Sequence, residues 1–307
     1  MKHTAEDLKI MQGWPLARKI QVTQTRIMEW YIRHGGAVAV SFSGGKDSTV
    51  LLDLARRCHP DIEAVFVDTG LEFPEIRTFA LSKENVTRLT PDMNFREVLD
   101  VYGWCYPSKE VATAIYYTRQ GSEWAPLRLQ GLNRDGTPSR YRRTHYSQWA
   151  YLLDSPFKIS AKCCGVMKER PLARYQRTSG KFPIIGTLAD ESQRRKQAWL
   201  QTGCNAFDAK QPLSKPLSFW TEQDILRYLR DFNIPYASVY GEIVEDEKGR
   251  LKTTGESRTG CVFCPIGAHR DKVNRFQRLK TTHPALYDYC IKTLGLGELL
   301  DYVGVKY

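Results

Sequence analysis

Short apolar runs alternate with longer amphipathic stretches in the first third of the chain. Residues 37–41 (AVAVS) and 63–67 (EAVFV) are apolar runs of strand length. Such runs are typical of buried parallel strands. Residues 47–57 between them predict a helix, and Pro74 predicts the start of another, because proline is favoured at a first helical position. The alternation predicts an α/β fold with a parallel sheet, helices on both faces, and ligands at the carboxyl ends of the strands.

The remainder of the chain predicts fewer strands and more irregular structure. A strand is expected at 182–186 (FPIIG), followed by the helical stretch ADESQRRKQAWL. A further helix is expected at 219–232, with Thr221 as its N-cap. Residues 241–260 predict a hairpin or loop around a Lys-Gly turn.

The predicted elements suggest one main domain with additions at both ends. An N-terminal helical segment is expected at 1–36, the α/β domain at 37–235, and a C-terminal extension at 236–307. Residues 103–160 are aromatic, basic and weakly patterned, which favours an insertion or lid within the main domain.

Composition narrows the class of protein and its partners. The chain has 307 residues, is 42% hydrophobic, and contains no apolar run that approaches a membrane span. Its first residues lack the apolar core of a secretory signal, so we expect a cytoplasmic protein without a membrane partner. In that compartment its eight cysteines favour metal binding or catalysis over disulfides. The net charge of +11 indicates polyanionic partners such as nucleotides or nucleic acid.

A glycine-rich loop, SFSGGKDS, follows the first predicted strand and leads into a helix. Adjacent glycines allow close backbone approach, and a helix N-terminus offers free N–H groups to an anion. Lys46 would neutralise phosphate charge, and Asp47 could hold Mg²⁺ through oxygen. The alternative is a turn that is merely rich in small residues. The candidate contacts are Ser41, Phe42, Ser43, Gly44, Gly45, Lys46, Asp47 and Ser48.

Three motifs carry a family resemblance. The SGGKDS loop resembles that of the PP-loop ATP pyrophosphatase superfamily, which binds ATP and cleaves it to AMP and pyrophosphate. VDTGLEFPEIRTF at 67–79 and KPLSFWTEQDILRYLRDFNIPY at 215–236 resemble elements of the phosphoadenosine phosphosulfate (PAPS) reductase family. The resemblance implies a Rossmann-like fold of the adenine nucleotide alpha hydrolase type, which binds an adenine nucleotide with Mg²⁺.

The same resemblance implies nucleotide contacts beyond the loop. Asp68 and Thr69 would lie near the adenosine or Mg²⁺. GTLADESQRR at 186–195 is similar to the family's GxRxxES segment, which implies a contact at Gly186. Leu188 replaces the usual arginine, and Arg194 is the expected substitute, with its basic neighbours. The alternative for this basic run is a solvated helix face.

Two cysteine pairs form the second candidate site. Cys261 and Cys264 form a CxxC motif, which is compatible with zinc, a redox dithiol or an iron–sulfur cluster. Cys163 and Cys164 are adjacent to each other in a run with Lys162 and other basic residues, which predicts a lowered thiol pKa. The set resembles the ligands of the [4Fe-4S] members of the PAPS reductase family. The resemblance therefore implies a [4Fe-4S] cluster on these four thiols, with zinc or unligated thiols as alternatives.

The four remaining cysteines have no partner spacing. We expect Cys58 and Cys290 to be core thiols. Cys204 follows the basic helix and is a candidate sulfur-handling thiol. The sequence predicts no role for Cys105.

Lys46 of the SGGKDS loop distinguishes between two candidate functions, an ATP pyrophosphatase and a reductase. Reductases that resemble this chain tend to have a loop without the lysine, and in the printed sequence no cysteine follows Cys290. We therefore expect an ATP pyrophosphatase, with Lys46 and Asp47 as catalytic residues, that activates a substrate for sulfur transfer. Nucleic-acid thiolation or phosphorothioation is the closest role, with a cysteine desulfurase as sulfur donor. Aromatic and basic residues at 124–151, including Tyr141, Arg142 and Arg143, could contact single strands. The alternative is that they pack as a lid over the nucleotide.

Two other functions stay open. The first is a sulfonucleotide reductase that forms sulfite, takes electrons from thioredoxin and depends on a thiol outside the cluster. The second is a non-catalytic protein that senses a nucleotide or the cluster.

Overall fold

The computed structural model describes residues 3–139 and 146–307. In these ranges the strands are β1 (Val38–Ser41), β2 (Glu63–Val67), β3 (Val86–Leu89), β4 (Phe182–Ile185), β5 (Asn205–Ala206), β6 (Leu213–Ser214), β7 (Ile243–Glu245) and β8 (Leu251–Thr253). The α-helices are α1 (Ala5–Gln12), α2 (Leu16–Arg33), α3 (Lys46–Cys58), α4 (Pro74–Leu81), α5 (Phe95–Tyr102), α6 (Lys109–Arg119), α7 (Trp124–Leu129), α8 (Lys162–Cys164), α9 (Arg170–Ser179), α10 (Gln193–Thr202), α11 (Glu222–Asp231), α12 (Arg275–Thr282), α13 (Pro284–Asp288) and α14 (Leu296–Tyr302). Short 3₁₀ or π segments lie at Tyr146–Asp154, Gly165–Glu169, Ala189–Glu191, Ser238–Tyr240 and Tyr289–Thr293.

Six strands form one mostly parallel sheet in the order β3-β2-β1-β4-β6-β5. The central strand β1 pairs in parallel with β2 on one side and β4 on the other, which places Val40 between Ala64 and Ile184. Only β5 runs antiparallel, against β6. The α/β fold with a parallel sheet is confirmed, and the antiparallel edge strand is a feature that the sequence pattern did not indicate.

The strand order reverses between β1 and β4. The chain runs outward from β1 through β2 to β3 and then returns to the other side of β1 at β4. In open α/β sheets ligands bind at such a switch point, outside the carboxyl ends of the strands. The loop after β1 and the residues after β4 are therefore the expected place for a ligand.

The predicted elements around the sheet are confirmed. The strands at 37–41, 63–67 and 182–186 are present to within one residue, and α4 has Pro74 in its first turn. The stretch ADESQRRKQAWL forms a 3₁₀ turn followed by α10. Thr221 caps α11 in a capping box with Asp224, and β7 and β8 form the predicted hairpin.

The described chain forms two compact units. The first contains the sheet and comprises residues up to 68 together with 72–90 and 171–260. The second is mostly helical and comprises residues 69–71, the described part of 91–170, and 261–307. The described part of the weakly patterned segment 103–160 belongs to this second unit and includes α6 and α7. The domain boundaries expected from the sequence stay a prediction.

Membrane spanning was searched over the same described ranges. None of the helices there is both long and apolar enough to cross a bilayer.

Candidate functional site

The SGGKDS loop begins where β1 ends. The Phe42 amide still donates to the carbonyl of Val65 (2.9 Å), so sheet pairing continues one residue past Ser41. Gly44 has a φ of +73°, and a Cβ there would lie 2.9 Å from Ile76. Only glycine meets both demands without strain, which explains the first glycine of the motif.

Serine hydroxyls hold the loop in shape. The Ser48 hydroxyl accepts from the Ser43 amide (3.2 Å) and lies 3.0 Å from the Ser43 hydroxyl. It also donates to the Gly45 carbonyl (2.9 Å). These local bonds keep the loop compact and leave α3 to begin immediately at Lys46.

Lys46 is buried, with 6% of its surface exposed. Its ammonium donates to the Ser257 carbonyl (2.9 Å) and lies 3.3 Å from a Glu222 carboxylate oxygen. Its backbone amide donates to the Tyr240 hydroxyl (3.2 Å), which also bonds Thr259 (2.6 Å). A buried ammonium group at a helix N-terminus is a strong attractor for an anion. Here it is held by residues more than 170 positions away in sequence.

The carboxylate of Asp47 is incompletely hydrogen-bonded. Its Oδ1 is buried and has no hydrogen-bond partner among the described residues. Burial raises the pKa of Asp47, and the charge of Lys46 acts in the opposite direction. Gly186, at the end of β4, packs against this residue, since a Cβ there would lie 3.1 Å from the Asp47 carbonyl oxygen. Gly186 thus lets β4 approach the loop at the switch point.

Two guanidinium groups and one carboxylate lie beside Asp47. Arg258 pairs with Glu191 (2.8 Å), and Arg195 pairs with the other oxygen of the same carboxylate. Burial, with a smaller effect from Arg258, lowers the pKa of Arg195. The sequence pointed to Arg194 and its basic neighbours. Arg194 and Arg195 are both exposed in the structure, and it is Arg195 that pairs with the carboxylate. Arg258 was not anticipated, because it lies outside every matched motif.

Asp68 and Thr69 lie just after β2, as the motif indicated. The Asp68 carboxylate is buried and pairs with Arg77 (2.9 Å) and Arg88 (2.7 Å). The Thr69 hydroxyl accepts from the Leu71 amide (3.1 Å). A carboxylate bound to two arginines stabilises the end of the strand. A nucleotide role for either residue stays a prediction.

The second unit contains a cavity that all four predicted cysteine ligands line. The cavity and its mouth enclose about 440 Å³, and its walls include Cys163, Cys164, Cys261 and Cys264. Phe95, Phe263 and Met167 make much of the remaining wall apolar. Within residues 3–139 and 146–307, no three His, Cys, Asp or Glu side chains are arranged to hold a single metal ion.

The prediction of lowered pKa values for the adjacent cysteines is wrong. A hydrogen bond with Cys105, together with burial, raises the pKa of Cys163 to about 12. Contact with Cys163 and burial raise the pKa of Cys164. Lys162 does not compensate, because its ammonium donates to the Tyr117 hydroxyl (3.1 Å). Burial and thiol–thiol contact therefore dominate over the nearby positive charge.

Cys105 also lines this cavity, although its sequence context gave no sign of it. A short parallel bridge places it there, in which the Trp104 amide donates to the Lys158 carbonyl (2.9 Å) and the Ser160 amide to the Trp104 carbonyl (3.0 Å). Gly103 makes the bridge possible, since its φ is +72° and a Cβ would lie 1.8 Å from the Lys158 oxygen. This bridge joins segments more than 50 residues apart, so local spacing could not reveal it.

A Gly103→Ala substitution is expected to disturb this bridge. The added methyl group meets the Lys158 backbone, so the two segments must separate. Gly121→Ala is the matched control, because Gly121 has a similar φ of +78° but nothing within 4 Å of its Cβ position. We expect Gly103→Ala to reduce the free energy of unfolding by about 1–3 kcal/mol more than Gly121→Ala does. This is the usual range for overpacking. Urea unfolding of both variants measures the difference, and equal costs would contradict the bridge.

The other predicted roles are distributed over both units. Cys204 is 7% exposed, and burial raises its pKa to about 11. Cys290 is a core thiol, as predicted, whereas Cys58 is only partly buried and packs against the core. Of the aromatic and basic residues proposed for single strands, Tyr141, Arg142 and Arg143 lie outside the described residues. Trp149 packs edge-on against Tyr106, 5.4 Å between ring centroids. A nucleic-acid contact in this segment stays a prediction.

The fold and the loop define a class of α/β protein with a buried lysine and a helix N-terminus at the sheet's switch point. The chain belongs to the phosphoadenosine phosphosulfate reductase domain family, whose model matches residues 37–102 and 113–295. The family predicted from the motifs is therefore confirmed.

Two curated relatives indicate how far the similarity extends. An uncharacterized protein of Methanocaldococcus jannaschii is 24% identical over 266 residues, which cover 84% of this chain and 47% of that protein. Adenosine 5′-phosphosulfate reductase 1 of Bacillus subtilis is 31% identical over 155 residues, 45% of this chain and 62% of the enzyme. This chain thus matches about half to three-fifths of the length of these relatives.

Among solved structures, a PAPS reductase from Candida auris in complex with phosphate aligns with 81% of this chain and 98% of its own. The identity is 13% and the TM-score 0.41.

Proposed function

We propose that this PAPS reductase-family protein is an ATP pyrophosphatase that activates a substrate for sulfur transfer. The observation that carries the proposal is Lys46, a buried ammonium group in an intact SGGKDS loop at the switch point. In the proposed reaction an oxygen of the substrate attacks the α-phosphorus of ATP, and pyrophosphate leaves. Lys46 and the N-terminus of α3 would stabilise the negative charge on the leaving group. A sulfur nucleophile then displaces AMP from the activated substrate.

Asp47 fits a magnesium ligand. A buried carboxylate oxygen without a partner is costly, and a bound cation would supply the missing interaction. Mg²⁺, when bound, neutralises phosphate charge. Around the proposed ion, Arg195 and Arg258 would orient phosphate oxygens, since a guanidinium group donates two parallel hydrogen bonds. Their pairing with Glu191 keeps both side chains in place before the nucleotide binds.

The cysteine cavity fits a [4Fe-4S] cluster. In such a cluster each thiolate binds a separate iron, so the four sulfurs surround a cavity rather than meet at a point. The cavity lined by Cys163, Cys164, Cys261 and Cys264 has this character. The bound cluster would supply electron transfer or sulfur binding. The chain's own contribution would be an apolar wall that limits access of water.

A polyanionic substrate is supported by the net charge of +11. Nucleic acid is the substrate class that we propose, with a cysteine desulfurase persulfide as the sulfur source. The reductase alternative is favoured by a specific observation, the 31% identity with the Bacillus subtilis enzyme. That enzyme's name indicates reduction of adenosine 5′-phosphosulfate, which would release sulfite here as well.

Two assays on one anaerobic preparation separate these functions. We expect pyrophosphate release from ATP, increased by added DNA or tRNA, and no sulfite from adenosine 5′-phosphosulfate or PAPS with thioredoxin. Sulfite without pyrophosphate would overturn the proposal in favour of the reductase. ATP binding without either product would indicate a sensing role.

A further inference from the structure

Cys105 is a fifth thiol at the cysteine cavity, and neither the motifs nor the proposed cluster uses it. It is 3% exposed, it lines the cavity, and it is hydrogen-bonded to the Cys163 thiol. The Gly103 turn and the bridge to Ile159 fix its position. The backbone around Cys105 therefore directs its thiol towards the cavity.

The remaining thiols do not share this placement. Cys58, Cys204 and Cys290, all within the described ranges, are absent from the cavity wall. Cys290 is fully buried, and Cys204 lies among the core side chains of the first unit. If the protein itself carries the sulfur as a persulfide, the acceptor must be a thiol that is not a cluster ligand, because a ligand thiolate is already bound to iron. Cys105 meets this requirement, whereas the sequence had pointed to Cys204.

Positive charge lies close to the cavity thiols. Lys168 lines the cavity wall, and Lys109 lies beside Cys164. A positive charge beside an apolar cavity stabilises a small anion more strongly than it would in water. The cavity therefore offers a small sulfur anion a favourable charge environment.

We propose that Cys105 accepts sulfane sulfur and holds it as a persulfide at the wall of the cysteine cavity, beside the proposed cluster. The proposal rests on the proposed sulfur-transfer function. The Cys105 thiolate attacks the outer sulfur of a donor persulfide, R–S–SH. The donor S–S bond breaks, a new S–S bond forms on Cys105, and R–S⁻ leaves and takes up a proton. The reaction is an exchange, so it needs no external oxidant or reductant.

The test loads the anaerobically purified full chain with glutathione persulfide. Excess donor is removed, and the protein is alkylated and digested with trypsin. The masses of the peptides are then measured by mass spectrometry. Cleavage after Arg96 and Lys109 isolates Cys105 as the only cysteine of its peptide, while the predicted ligands lie in the separate peptides 163–168 and 259–270. We expect the 97–109 peptide to gain the mass of one sulfur atom.

Variants show which cysteine carries the added sulfur atom. Cys105→Ser and Cys105→Ala should lose the label, and Cys58→Ser should retain it. Urea unfolding and the absorbance of the bound cluster show whether each variant still folds. The proposal is overturned if the added sulfur is found only on the ligand peptides, or if Cys105 stays unlabelled in folded protein. A sulfonate adduct on Cys105 after incubation with adenosine 5′-phosphosulfate, without persulfide loading, would also overturn it.

Failure of this inference is distinguishable from failure of the proposed function. Persulfide loading needs no ATP, so Lys46→Ala should label normally at Cys105. A wild-type protein that labels at Cys105 but releases no pyrophosphate contradicts the proposed function alone. Pyrophosphate release with unlabelled Cys105 contradicts only the role of Cys105.

Discussion

Replacing Lys46 with alanine is expected to reduce pyrophosphate release by about 100- to 1,000-fold, the usual cost of removing one group that stabilises developing negative charge in a water-excluded site. The side chain is 6% exposed, so its ammonium acts at low local dielectric. It is also fixed by the Ser257 carbonyl, which limits its freedom before substrate arrives. The measurement is the rate of pyrophosphate formation at saturating ATP.

Controls separate this chemical loss from a folding defect. Lys9→Ala removes an exposed lysine of α1 in the same unit and should leave the rate unchanged. Lys46→Arg keeps the charge and should retain part of the activity. Urea unfolding checks that Lys46→Ala is folded. If the folded Lys46→Ala protein releases pyrophosphate at the wild-type rate, the loop is not the site of cleavage.

Replacing Lys19 with methionine is expected to reduce the free energy of unfolding by about 3–5 kcal/mol, the usual cost of breaking a buried ion pair. The Lys19 ammonium lies 2.5 Å from the Asp224 carboxylate, and both side chains are buried. It also donates to the Gln12 carbonyl (2.6 Å). Methionine keeps the volume but leaves the Asp224 charge buried without its partner. Urea unfolding measures the change.

An exposed pair provides the matched control for Lys19. Arg26→Met breaks the pair with Glu29, in which both side chains are about 40% exposed. Solvent screening should limit that loss to about 1 kcal/mol or less. Adding Asp224→Asn to Lys19→Met should recover part of the stability, because the uncompensated charge is then removed. Equal losses for Lys19→Met and Arg26→Met would show that burial does not strengthen this pair.

The sheet and the nucleotide loop could be predicted well because their signals are local. The runs at 37–41 and 63–67 are apolar for the length of a strand, and a helix begins at Lys46 directly after the glycines. Thr221 and Asp224 form a capping box over one helical turn. Each of these signals depends on residues within a few positions of one another, which is the distance over which sequence patterns report structure.

The charges beside Asp47 could be predicted only in part. The basic run at 194–196 indicated an anion contact, but helix geometry decided that Arg195 and not Arg194 faces Glu191. Arg258 reaches the same carboxylate from 67 residues away. The pKa values of Cys163 and Cys164 were mispredicted for a related reason. Sequence shows the neighbouring charges, whereas burial and contact with another thiol depend on how the chain packs.

The sequence by itself determined the α/β class, the family, the SGGKDS loop and the two cysteine pairs. Tertiary structure alone decided which distant groups meet them: Tyr240 and Ser257 at Lys46, and Cys105 at Cys163. The physical reason is that a strand or a glycine loop is specified by local sterics and periodicity. A contact between segments more than 50 residues apart exists only once the whole chain has closed around its core, and packing then sets the chemistry of the groups that it brings together.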